Sequence, residues 1–250
     1  MLDLSIGFFL VAGPAVIFAG ISKSGFGSGA AFASASILAL VVEPGLALGV
    51  MLPLLMLVDA ATLRPYWGKW NLRASLLMIL GGVPGVALGA ALFARADADF
   101  FRVLIGVISV AFVLWQVAGA RWTRMMSRAM PDWMGVLLGT VAGFTSFVSH
   151  AGGPPAAVYL LSLRPGKTEY QASSVLIFTA INIAKFVPYA FLGMFTLQTG
   201  LANLVLAPFA LVGAWLGVKA HHLVPERAFF QLTYVLLIIT GSKLIWDGLT

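Results

Sequence analysis

Two short stretches of the chain carry residue types that can bind a ligand. The first reads Ser22-Lys23-Ser24-Gly25-Phe26-Gly27-Ser28-Gly29, and the second reads Ser149-His150-Ala151-Gly152-Gly153-Pro154-Pro155. Each sets a hydroxyl residue before a basic one, then glycines, then a helix start. Glycines let the chain turn and let a ligand approach the backbone. The free N–H groups at a helix N-terminus carry partial positive charge and favour anions. Pro154 suits a first helical turn, where its missing N–H costs nothing. Ser28 suits the cap of the helix after the first break. The candidate substrate set is therefore Lys23, Ser24, Gly25, Gly27 and Ser28 with Ser149, His150, Gly152 and Gly153, and the chemistry they suit is binding of a small anion. Thr145, with Ser146, adds hydroxyls beside His150. The bland alternatives are glycines that only allow close helix packing, a Lys23 that snorkels to the interface, and a His150 satisfied inside the core.

Further polar residues lie within apolar stretches. Lys185 sits well inside one, with Asn182 three residues earlier and so on the same helical face; both join the substrate candidates. An intramembrane lysine is functional by default, and its structural alternative is a pair with Asp59. Asp59 lies near the end of its segment, so the preferred reading pairs it with Arg64 at the interface. Asp59 and His150 are also the coupling candidates, since histidine titrates near neutral pH. Lys243 is expected to snorkel. Gly81-Gly85-Gly89 and Gly135-Gly139-Gly143 repeat every fourth residue, the pattern of close helix packing.

Enzyme signatures are missing. Gly166-Lys167-Thr168 resembles the end of a phosphate loop, but position 161 is Leu and no strand precedes it. His221 and His222 are adjacent and point to different helix faces. The chain has no cysteine, which excludes disulfides, thiolate metal sites and cysteine nucleophiles. No cofactor and no metal are expected.

The elements that must position these residues follow from composition. Of 250 residues, 60% are hydrophobic and 10% charged, against roughly 45–50% and 25% in a soluble domain. Mean hydropathy is +0.99. This excludes a soluble globular domain, a disordered chain and a nucleic-acid binder, and leaves an all-α polytopic membrane protein whose first partner is the lipid bilayer. Residues 4–21 follow only Asp3, without the basic region a signal peptide needs, so they are read as a membrane segment.

Turn signals and charges divide the chain into apolar segments 4–22, 29–42, 45–63, 72–93 and 99–118, a basic linker, and segments 133–149, 154–163, 170–194, 199–220 and 227–246. The pattern is duplicated: repeat 1 over 1–118, a cytoplasmic linker over 119–132 with Arg121, Arg124 and Arg128, and repeat 2 over 133–250. Lys23 falls on His150, Gly89 on Gly217, and Phe100-Phe101 on Phe229-Phe230 with a nearly constant offset. If every segment switches sides, one side receives Arg64, Lys69, Arg73, the linker arginines, Arg164, Lys167, Lys219 and Arg227, ten of the fifteen basic residues. By the positive-inside rule that side is cytoplasmic and both termini lie outside. An odd number of segments per half makes the repeats inverted. The rival, four crossings per half, makes them parallel and fits the charges less well. Segment 154–163 is too short to span alone, so each repeat opens with a re-entrant or broken helical hairpin. Inverted repeats then bring the two breaks together near the bilayer centre, as in many secondary transporters.

At these breaks the chain resembles the TauE/SafE family of sulfite and organosulfur anion permeases. The stretch His150-Ala151-Gly152-Gly153-Pro154-Pro155-Ala156-Ala157-Val158-Tyr159-Leu160-Leu161 is similar to the family's Gly-Gly-Pro-Pro block. Its first-repeat counterpart is Gly25-Phe26-Gly27-Ser28-Gly29, followed by Ala39 to Pro44 and Leu52-Pro53-Leu54. The first break departs from the family, with Gly27-Ser28-Gly29 where three glycines are common and Ser34-Ala35-Ser36 where a proline often stands. The resemblance covers essentially the whole chain. It implies transport of small sulfur-containing anions such as sulfite or organosulfonates across the plasma membrane. The reading is a permease working by alternating access, with an anion channel and a non-transporting scaffold as alternatives; a homo-oligomer is compatible with either.

Overall fold

The structure, a computed structural model, describes residues 4–26, 31–125, 129–223 and 226–250, with side chains except at 117–125, 220–223 and 226–229. The described residues form helices and no strand. In chain order these are α1 (Ile6–Gly25), α2 (Phe32–Leu38), α3 (Pro44–Leu63), α4 (Leu72–Phe93), α5 (Ala98–Met125), α6 (Asp132–Ser149), α7 (Gly153–Ser162), α8 (Lys167–Phe191), α9 (Leu197–Leu223) and α10 (Glu226–Leu249).

Local chemistry sets the ends. The Ser5 hydroxyl accepts from the Phe8 N–H at 3.4 Å, and the Asn71 side chain accepts from the Ala74 N–H at 3.0 Å, so each caps a helix start. Pro44 opens α3 and Pro154 lies in the first turn of α7. Gly193, at φ +71°, follows α8 in the left-handed conformation that glycine adopts without strain.

Among the described residues, seven helices are long and apolar enough to cross a membrane: α1, α3, α4, α5, α8, α9 and α10. The protein is a multi-pass membrane protein. Prolines stand inside five of these or their neighbours, at positions 14, 53, 84, 188 and 208, which membrane helices tolerate. Large apolar side chains such as Ile6, Leu80, Phe191 and Leu204 point outward, as a lipid-facing surface requires.

α2 and α7 have seven and ten residues, about 10 and 15 Å at 1.5 Å per residue. Neither can span the membrane. α2 folds back along α1, its Ser34 hydroxyl donating to the Ala15 carbonyl at 2.6 Å. α7 folds back along α6, its Ser162 hydroxyl accepting from the Met130 N–H at 3.3 Å, just before α6 begins. Each half of the chain thus opens with a hairpin of one long and one short helix. Ala31 stands at the N-cap of α2, with no side chain capping it. The expected cap at Ser28 lies outside the described residues, as do Gly27 and Gly29.

Around the hairpins, α1 packs on α9, α4 on α6, and α5 on α10. The glycine ladders make these contacts. A Cβ at Gly81 would lie 1.9 Å from the Val136 carbonyl oxygen, at Gly85 2.1 Å from that of Thr140, and at Gly143 2.0 Å from that of Gly82. Gly20 and Gly25 of α1 meet Gly213 and Gly217 of α9 in the same way. Both pairs run parallel. α5 and α10 run antiparallel, with Gly106 against Gly241 and Asp99 against Gly248. α3 and α8 also run antiparallel: Gly49 meets Met194, Asp59 meets Asn182, and Tyr66 packs on Ala172 and Val175. The core lies where α3 and α8 cross the ends of α1 and α6.

A candidate anion site between the two helix breaks

The polar side chains of the two breaks reach one buried cluster. Lys23, in the last turn of α1, is 3% exposed and forms a 2.6 Å ion pair with Asp59 of α3. Its ammonium also donates to the Leu55 carbonyl at 3.3 Å. The Asn182 amide of α8 donates to the same Asp59 oxygen, Oδ2, at 2.7 Å. The second carboxylate oxygen, Oδ1, accepts no hydrogen bond. The sequence-based pairing of Asp59 with Arg64 is overturned. Asp59 is 1% exposed, whereas Arg64, at the C-cap of α3, lies on the surface. The chain packs α1 against α3, so the nearer cation to Asp59 is the one across the interface rather than the one a turn further along.

On the other side, Lys185 of α8 is fully buried. Its ammonium donates to the Ser146 carbonyl at 3.1 Å and hydroxyl at 3.0 Å, and lies within hydrogen-bond distance of Nδ1 of His150, at 2.8 Å. Lys185 therefore pairs with the second break and not with Asp59. An Nδ1 that accepts from an ammonium leaves the proton of the neutral imidazole on Nε2. That Nε2 is buried and closes no hydrogen bond, while the Leu48 backbone acts on the same imidazole. His150 itself ends α6 in the left-handed conformation, φ 57° and ψ 16°, a backbone state that costs an ordinary residue about 1–2 kcal/mol.

Between these groups lies a small cavity lined by the buried residues Lys23, Ala31, Leu55, Ser146, His150, Phe178 and Asn182. Its volume, about 10 Å³, matches roughly one water molecule. Two larger vestibules flank it at opposite ends of α8. One, of about 270 Å³, is lined by Glu43, Asp97, Phe101 and Met194 among others. The other, of about 480 Å³, is lined by Gly25, Phe26, Pro154, Lys167 and Gln171 among others.

The remaining sequence candidates sit around the cluster without lining the cavity. Ser24 donates back to the Gly20 carbonyl, and Ser149 to that of Thr145. Thr145 donates to the Val141 and Ala151 carbonyls and so braces the second break from within. Gly25 abuts Gly217, and Gly152 abuts Phe178 and Ala142; both serve close packing. Gly153 begins α7. Lys243 pairs with Asp247.

Sequence reading passed over three residues. Gln171 donates to the Lys23 and Ser24 carbonyls at 2.8 and 3.2 Å, and the Tyr66 hydroxyl donates to the Ser24 carbonyl at 3.2 Å. They satisfy carbonyls that the end of α1 leaves open. Tyr189 donates to the Phe147 carbonyl at 2.6 Å in the same way at the end of α6. A buried helix end demands such donors, but nothing in the local sequence names which ones.

The family model described as sulfite exporter TauE/SafE matches residues 12–244. The chain belongs to the TauE/SafE family. That span takes in both breaks and every residue of the buried cluster. TauE/SafE is a transporter family, so with seven membrane-crossing helices this member is a membrane transporter. No curated protein and no solved structure matches the chain.

Proposed function

We propose that this TauE/SafE protein is a secondary transporter of small sulfur-containing anions, sulfite or organosulfonates, and binds them between the two helix breaks. The observation that carries the reading is the buried cavity itself. It lies between vestibules at opposite ends of α8 and is bordered by Lys23 from one break and by His150 and Ser146 from the other. A lysine ammonium, an unpartnered imidazole N–H and a hydroxyl are donors, which an oxyanion needs. The cavity is too small for sulfite as it stands, so the site must widen to load it. A constriction of that size between two vestibules suits a carrier that opens to each side in turn, and not a continuous pore.

The same reading makes the chain two inverted repeats, 1–118 and 133–250, with 119–132 as a cytoplasmic linker. The packing supports it. Exchanging α1–α5 with α6–α10 turns the α1–α9 pair into α6–α4, and both pairs are parallel. It maps the α3–α8 and α5–α10 pairs onto themselves, and both are antiparallel. Only oppositely inserted copies give antiparallel equivalents. Orientation in the plasma membrane then follows the basic loops, with both termini outside. The membrane potential, about 2.3 kcal/mol per charge per 100 mV, drives anion export, and import requires proton coupling, for which His150 and Asp59 are the groups at hand.

Purified protein in liposomes tests this. Sulfite inside should exchange with labelled sulfite outside, because a carrier shows substrate-driven counterflow and a channel does not. Lys23→Ala combined with His150→Ala should abolish the exchange. Undiminished exchange in that double variant would remove the site from consideration.

A further inference from the structure

We propose that Asp59 sets the charge of the buried site, so that the transporter accepts a singly charged oxyanion and rejects a doubly charged one of the same size. The inference rests on the transporter reading above and adds the charge state of its substrate. The charged groups that act on one another in the cluster are Lys23, Asp59 and Lys185, with His150 beside them. Lys23 and Asp59 form a pair and cancel. A Lys185 ammonium can only donate, so with that charge in place the Nδ1 of His150, 2.8 Å away, accepts and the ring is neutral. Lys185 remains. Its three partners, the Ser146 carbonyl, the Ser146 hydroxyl and the imidazole, carry no formal charge. Among the described residues no carboxylate forms an ion pair with it.

The helix ends do not alter the count. The C-terminus of α6 lies at Lys185 with partial negative charge, and the N-terminus of α7 begins four residues beyond Ser149 with partial positive charge. Opposed helix ends across one break largely offset each other. The site thus holds one positive charge in excess, away from water, where an unpaired charge is costly. One negative charge on the ligand neutralises it. Two would leave the site as unbalanced as before, with the sign reversed. The His150 ring lines the cavity, and its Nε2 closes no hydrogen bond of its own.

For sulfite, whose singly protonated and unprotonated forms coexist near neutral pH, this means carriage as hydrogensulfite. One proton then travels on the substrate itself. Asp59 is in this account a specificity-determining residue: it holds the excess at one charge where two lysines alone would make it two.

Methanesulfonate and sulfate test the idea, since they are similar in shape and hold one and two charges across the neutral range. Both are offered to the wild-type protein in liposomes loaded with sulfite, and the ratio of their counterflow rates is read. Wild type should favour methanesulfonate by about tenfold or more. In Asp59→Asn the excess becomes two, and the ratio should move toward sulfate by about tenfold or more. Lys185→Gln combined with Asp59→Asn removes one charge of each sign, keeps Lys23 at the cavity wall, and should return the ratio toward wild type. Each ratio is internal to one preparation, so the amount of folded protein does not enter. A wild type that moves sulfate as fast as methanesulfonate overturns the inference, as does an Asp59→Asn protein with an unchanged ratio. Should Asp59→Asn exchange nothing, the double variant decides, and loss of its methanesulfonate preference overturns the inference. Sulfite exchange with these failures leaves the transporter reading standing; no exchange of any of the three anions by wild type removes both.

Discussion

Lys23 and Asp59 illustrate what a buried ion pair does and does not contribute. Two charges taken out of water cost several kcal/mol each, and a 2.6 Å contact with an added amide donor roughly restores the balance. The pair is weak evidence for stability, yet breaking it is expensive. Lys23→Met leaves the Asp59 carboxylate buried with only Asn182 as partner, a loss of about 3–5 kcal/mol. Lys23→Met with Asp59→Leu removes both charges and should recover most of it. Thermal unfolding in detergent, followed by tryptophan fluorescence, reads the difference, and a double variant no more stable than the single one would refute the argument. Asn182→Ala tests the second contact. It strips Asp59 of one charge-assisted hydrogen bond and should cost about 1.5–3 kcal/mol on the same measurement.

The hairpins and the glycine ladders belong together, because backbone contact holds the long helices close while α2 and α7, too short to span, fold back on α1 and α6. A methyl group at Gly81 or Gly143 would meet main-chain oxygen at 1.9 or 2.0 Å, and a main chain cannot move aside alone. Gly81→Ala and Gly143→Ala should therefore lower the unfolding temperature and reduce transport. Gly200→Ala, on an α9 position with nothing within 4 Å, should leave transport intact and gain up to about 1 kcal/mol of helix propensity. Equal behaviour of the three variants would show that the ladders do not carry the packing. The ladders, segment boundaries and half-length helices were legible in the sequence, since each follows from local rules: four-residue spacing, proline and glycine at ends, and too few residues to span. The site was only partly legible. Lys23, His150, Asn182 and Lys185 stand out as polar residues in apolar stretches, but their pairing does not. Asp59 was given the nearest cation in sequence, whereas the fold supplies Lys23 from 36 positions upstream. Gly25 and Gly152 also lie against neighbouring helices, where a side chain would clash. Gln171 and Tyr66 escape any sequence rule, since they are chosen by where α1 happens to end.

For the molecule as a whole, sidedness is the decisive quantity, and the structure ties distant loops to one face. The Asn71 side chain donates to Glu169 at 3.2 Å, and its N–H donates to the Ser173 hydroxyl at 2.9 Å. The loop after α3 and the start of α8 therefore lie on the same side of the bilayer. Four parallel crossings per half would put Arg164 and Lys167 opposite Arg64 and Lys69; five inverted segments put them together. The chain lacks cysteine, so single cysteines report position without background. Lys69→Cys and Gly166→Cys, both at exposed positions, should react with a membrane-impermeant maleimide only from the cytoplasmic face. Ala94→Cys and Thr250→Cys, also exposed, should react only from outside. Labelling of intact cells separates the two groups, and opened membranes label all four. If Gly166→Cys labelled with Ala94→Cys, the halves would enter the membrane in the same sense. The antiparallel crossing of α3 with α8 could not then relate equivalent elements, and the two breaks would lose the symmetry that brings them to a common site.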